Sequence, residues 1–112
     1  MSKTLKAGEH QLVFTSGVND RIAEDNRFAE FVWKSVLRFN RADWGNVGAE
    51  DWKTNDEALK SLNNGGWYGR ILASYRYTNC YEDCHRITVW ITRNTADEDG
   101  TQAITVLFPD EY

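Results

Sequence analysis

The sequence predicts a single two-layer α+β domain, ordered β-α-α-β-β-β, with an antiparallel sheet carrying both helices on one face. Three observations lead there. The chain has 112 residues, a length that allows one domain rather than two. Residues 28–39 repeat apolar side chains at helical spacing, and three later segments alternate with period two. The links between those segments are too short for crossover helices, so the strands form a meander.

Residues 1–10 are expected to be a flexible arm. Gln11 to Ser16 reads as a short strand closed by Gly17. From Asp25 the period changes: Phe28, Phe31, Val32, Ser35, Val36 and Phe39 form one helical stripe. Ala29, Trp33 and Leu37 widen it, so this helix is expected to be covered on more than one side. Glu30 and Lys34 stand one turn apart on its polar face, a favourable pair. Arg41 to Gly48 is a break holding two glycines, and a second helix runs from Ala49 to about Asn63. Glu50 and Asp51 suit its positive N-terminal end, and Trp52, Asn55, Leu59 and Leu62 make its stripe. Asn63-Asn-Gly-Gly stops it, because Asn and Gly tolerate the left-handed conformation of a helix end. Strands follow at 70–77, 86–92 and 101–108. Polar residues on alternate positions point to a sheet wet on one side.

Composition excludes more than it assigns. Hydrophobic residues make up 41% and aromatics 13% of the chain, enough for a packed core. No apolar run exceeds three residues, so neither a secretory signal nor a membrane span is expected. Two cysteines are too few for a disulfide scaffold and fit a cytoplasmic protein with reduced thiols. The 13 basic and 17 acidic side chains give a net charge of 13 − 17 = −4. Residues 49–112 hold the excess, with six basic and eleven acidic groups. Nucleic-acid binders draw most of their affinity from neutralising phosphate, so direct binding of DNA or RNA is not expected.

Three groups of residues have the chemistry for a site. Cys80, Cys84 and His85 could begin a zinc site that His10 completes, but C-x3-C is looser than the usual knuckle, and idle or bridged thiols explain it as well. No metal or other cofactor is therefore expected. Asp43, Asp51, Asn55 and Asp56 lie near Trp44 and could hold a ligand. The same residues can serve structure: Asp43 tying down the loop, Trp44 filling core, Asn55 bonded between helix and sheet. Asn55 needs such a partner, because an unsatisfied buried amide costs about 1–3 kcal/mol. Last, Asp97, Glu98 and Asp99, with Asp110 and Glu111, form an acidic C-terminal region that reads first as a hairpin turn. It could also steer a basic protein surface. Nucleophile elbows and phosphate loops are not evident.

In chain order stand Phe14-Thr-Ser-Gly-Val-Asn-Asp, Asp43-Trp-Gly, Asn55-Asp-x-Ala-Leu, Arg70-Ile-Leu-x-Ser-Tyr, Val89-Trp-Ile and Thr105-Val-Leu-Phe-Pro-x-Glu-Tyr. Over about residues 12 to 112 the chain thereby resembles a group of small uncharacterised bacterial proteins encoded on plasmids, conjugative elements and prophages. The resemblance carries no catalytic residue with it. The group's turn between the second and third strands is shorter, so the Cys80–His85 loop is a departure. What the resemblance implies is a setting, that of small non-enzymatic proteins of mobile elements, often anti-CRISPR or antirestriction antagonists of host defence. Together these readings predict a protein-binding module whose partner has a basic surface, with Asp43, Trp44, Asp97, Glu98, Asp99 and Glu111 at the contact. The alternatives are a small-molecule binder or minor enzyme using Asp43–Asp56, and a structural homo-oligomer.

Overall fold

Alternation in the late segments becomes the buried face of a four-stranded sheet in the computed structural model, which describes residues 10–63, 70–77, 87–93 and 102–112. Strand β1 (His10–Phe14) leads into helices α1 (Ser16–Glu24), α2 (Asn26–Asn40) and α3 (Ala49–Asn63). Strands β2 (Ile71–Tyr77), β3 (Ile87–Arg93) and β4 (Gln102–Leu107) follow, then a 3-10 turn at Pro109–Glu111. The fold is α+β, with three α-helices among the described residues rather than two.

Strands β2, β3 and β4 pair antiparallel, with Ala73 opposite Ile91 and Ile91 opposite Val106. The sheet is nevertheless mixed, not antiparallel throughout. Its order is β1-β4-β3-β2, and β1 runs parallel to β4 with Phe14 opposite Val106. Alternation tells which face a residue takes and is silent about the direction of the neighbouring strand. Between β1 and β4 the chain passes through three helices and strands β2 and β3, which is ample length for the crossover that a parallel pair requires.

The first strand ends two residues earlier than its composition indicates, because Ser16 and Gly17 open α1. Asp25 then breaks the helical path in extended conformation, and its carboxylate accepts the N–H groups of Arg27 and Phe28 at 3.0 and 3.2 Å. This N-cap starts α2. The stripe on α2 is buried at Phe28, Val32, Ser35, Val36 and Phe39, and the Ser35 hydroxyl donates to the Phe31 carbonyl at 2.9 Å. These side chains meet Ile71, Ala73, Tyr75, Tyr77, Val89, Ile91, Ile104 and Val106 in one core. At one end of that core the Phe28 ring packs against Phe31, Tyr77 and Phe108 at centroid distances of 5.9, 6.3 and 5.8 Å. Such pairs add about 0.5–1.5 kcal/mol each beyond the area they bury.

Among the described residues, none covers α2 on a second side. Trp33 and Leu37 are 56% and 51% exposed. The helices divide the sheet among themselves: α1 lies by β1 and β4, α2 against β2 and β3, and α3 by β2. Among the described residues no helix is long and apolar enough to cross a membrane.

Candidate functional site

The Asp43–Asn46 segment is built from the end of α2 upward. That helix closes with the Ala42 N–H bonded to the Phe39 carbonyl and the Asp43 N–H bonded to the Arg38 carbonyl, at 3.0 and 2.9 Å. Ala42 sits between them at φ 63°, the left-handed position of a Schellman turn. The turn aims Asp43 back at its own helix, where its carboxylate takes both Nε and Nη2 of Arg38 at 2.8 and 3.1 Å. The same carboxylate accepts the Gly45 N–H at 3.1 Å, and the Asp43 carbonyl accepts the Tyr75 hydroxyl at 2.7 Å. Hydrogen bonding to Arg38 holds the Asp43 carboxyl below its usual range and lifts the guanidinium in turn. Burial holds the Tyr75 hydroxyl protonated well above its usual range.

Beyond Asp43 the chain runs along the outer edge of β2. Gly45 forms a parallel bridge with Ser74. The Ser74 N–H donates to the Trp44 carbonyl at 3.2 Å, and the Asn46 N–H donates to the Ser74 carbonyl at 2.6 Å. The Asn46 side chain accepts the Arg76 N–H at 3.0 Å. One residue pair further along, Asn55 of α3 donates to the Leu72 carbonyl at 2.8 Å and accepts the Leu72 N–H at 3.3 Å. The edge groups at 72 and 74 and the N–H at 76 are therefore all paired, which closes this side of the sheet to addition of another strand. Gly45 is required here: its φ is 76°, and a Cβ would run into the Ser74 carbonyl and the Tyr75 ring.

Three of the four residues expected to form a ligand site are engaged inside the fold, Asp43 with Arg38, Asn55 with Leu72 and Asp56 with Trp44. Trp44 is 1% exposed, packs edge-on against Phe39 at 5.3 Å, and donates its indole N–H to Asp56 at 2.8 Å. Its indole offers no surface to a partner. Asn55 is buried, while Asp51 stands exposed in the first turn of α3.

Glu111 also has an internal task. Its carboxylate accepts the Thr15 hydroxyl at 2.6 Å, the Gly17 N–H at 3.0 Å and the Phe108 N–H at 3.0 Å. It thereby supplies the N-terminus of α1 with an anion from the other end of the chain, since Thr15 makes no side-chain cap of its own. These bonds, led by that from Thr15, hold the Glu111 carboxyl below its usual range. Tyr112 beyond it packs edge-on against Trp90 at 5.5 Å, and the Arg70 guanidinium lies 5.1 Å from the centre of the Tyr112 ring. Asp97, Glu98, Asp99, Cys80, Cys84 and His85 lie outside the described residues. His10 opens β1, far in sequence from that loop. Among the described residues no three His, Cys, Asp or Glu side chains converge as metal ligands would.

Sequence reasoning missed an apolar groove of about 520 Å³ between β1, α1 and α2. Phe14, Ile22, Ala29, Val32 and Trp33 line it, with Asn19, Asn26 and Glu30 at its polar positions. Glu30 meets Lys34 at 3.7 Å with both side chains about two-thirds exposed, so the pair is weak and readily exchanged. The signal lay in Ala29, Trp33 and Leu37, which repeat every four residues beside the core stripe. Comparisons with known protein families, with characterised proteins and with solved structures find no match for this chain.

Proposed function

We propose that this protein is a small binding module that acts by contact with another protein, and that the α1–α2 groove is where contact is made. The observation that carries the reading is the half-exposed Trp33 beside an open apolar groove. Exposed Trp at the wall of an apolar depression is the usual anchor of a protein interface. Residues 16–30 around it carry Asp20, Glu24, Asp25 and Glu30 against Arg21 and Arg27, a net charge of 2 − 4 = −2. The occupant that fits is an apolar side chain flanked by Lys or Arg on a partner with a basic surface. In the setting implied by the resemblance, that partner is a component of host defence met in the cytoplasm, and the protein is its non-enzymatic antagonist.

A small-molecule or minor enzymatic role for Asp43–Asp56 is supported less well, because Asp43, Asn55 and Asp56 are each bonded to Arg38, Leu72 or Trp44. Proximity labelling in a bacterial host, comparing wild type with Trp33→Ala and Glu30→Lys, tests the groove. Proteins labelled by wild type and lost with both variants support it. Labelling that survives both variants sinks it.

A further inference from the structure

The two edges of the sheet are treated differently. The outer edge of β2 is closed by Trp44, Asn46 and Asn55. The outer edge of β1 is not closed by any described residue. The Thr15 N–H donates to the Val106 carbonyl at 3.1 Å, which fixes the parity of the strand: odd residues turn their main chain to β4 and even residues turn it away. The N–H and C=O groups of His10, Leu12 and Phe14 therefore point outward, and no described residue meets them. Leu12 and Val13 are 39% and 41% exposed, one on each face of the strand. Uncovered apolar edges are what proteins ordinarily blunt with charge, proline or a bulge, and His10-Gln-Leu-Val-Phe14 has none of these.

We infer that the β1 edge pairs with the β1 edge of a second copy of this chain, antiparallel about a two-fold axis at Leu12. The inference stands apart from the partner-binding reading. Three features select a second copy as the occupant. The five-residue strand is self-complementary: Leu12 faces Leu12 of the second copy, and His10 faces its Phe14, so every outward main-chain group finds a partner. The edge carries no carboxylate or ammonium, so two chains of net charge −4 meet there without direct repulsion. The closed β2 edge prevents a third copy from adding, so assembly ends at two and not at a fibre. Five residues span about 17 Å, and pairing them buries roughly 350 Å² per copy, against about 800 Å² in a standard interface. The dimer is accordingly weak, dissociating at roughly 10–500 μM. In it Leu12 of both copies lies on the helix-bearing face, so the two α1–α2 grooves open on the same side.

Sedimentation velocity from 5 μM to 1 mM reads this directly, as a mass rising from 12.9 kDa toward twice that value. Leu12→Lys places two ammonium groups opposite one another and weakens association at least tenfold. A wild-type monomer at 1 mM overturns the inference. So does a dimer indifferent to Leu12→Lys, or growth beyond two copies. Should Leu12→Lys fail to fold, hydrogen exchange of the wild type decides: slower exchange of the Leu12 and Phe14 amides at 1 mM than at 5 μM supports the dimer, and equal exchange overturns it.

Discussion

Replacing Asn55 with Ala removes the only side chain among the described residues that meets the Leu72 main chain. Two hydrogen bonds vanish, one short at 2.8 Å and one longer at 3.3 Å, on a residue only 5% exposed. The Leu72 N–H and C=O are left facing α3, and each unmet group costs about 1–3 kcal/mol unless water reaches it. For the two groups together that is about 2–6 kcal/mol, and partial hydration at a sheet edge puts the loss near the lower end, about 2–3 kcal/mol. For a domain of this size that lowers Tm by roughly 10 °C. Urea unfolding followed by tryptophan fluorescence measures it, with an unchanged m-value expected because the fold is kept. Asn55→Asp sharpens the test. Its carboxylate faces the Leu72 carbonyl, so its folded pKa is raised, and its stability deficit shrinks below about pH 4 and grows as pH rises. Asp51→Ala, one turn away on the exposed face, changes stability by less than about 0.5 kcal/mol. An Asn55→Ala protein within about 0.5 kcal/mol of wild type, with the Leu72 amide as protected as before, refutes the reasoning.

Three further outcomes follow from the same geometry. Ala42→Gly relieves a left-handed position held by a Cβ-bearing residue and raises stability by about 1 kcal/mol, read as a higher urea midpoint. Gly45→Ala forces a Cβ against the Ser74 carbonyl at positive φ and lowers stability by at least about 2 kcal/mol in the same assay. Asp43 and Glu111 both titrate below their ordinary values of 3.8 and 4.5. Their stabilising share is therefore complete above those values and is lost as pH falls through the lower folded ones. Asp43→Asn and Glu111→Gln each lower neutral stability by less than about 1 kcal/mol, because solvent screens the Asp43 carboxylate, 36% exposed, and still more the exposed Glu111, and each flattens the acid limb of stability against pH.

Much of the fold was legible because burial enforces period. Alternation in Ile71-Leu-Ala-Ser-Tyr-Arg-Tyr77 reports its buried face directly, and the Phe28–Phe39 stripe does the same for α2. Helix α1 was hidden by its brevity: nine residues bury Val18 alone, and its N-terminus is held by Glu111, which lies 94 positions away from Gly17. The parallel pairing of β1 was equally invisible, since strand direction leaves no mark on alternation. At the site, the demand of Asn55 for a buried partner was readable from its place in an apolar stripe; that the partner is an edge strand was not. Trp44 reads as core or as contact from the sequence; it is core, and a polar neighbour, Asp56, is what bonds it inward. Trp33 was expected to be covered, because an apolar position on a helix reads as core whether or not anything covers it, and no described residue covers it.

The central claim is that contact is made through the α1–α2 groove and not through the Asp43–Asp56 segment. An NMR titration of the five tryptophan indole N–H signals with a short peptide carrying leucine between lysines addresses it most directly. The account predicts a saturable shift of the Trp33 signal, with the Trp44 signal unmoved, and its loss in Glu30→Lys. A shift of Trp44 with Trp33 unmoved contradicts it.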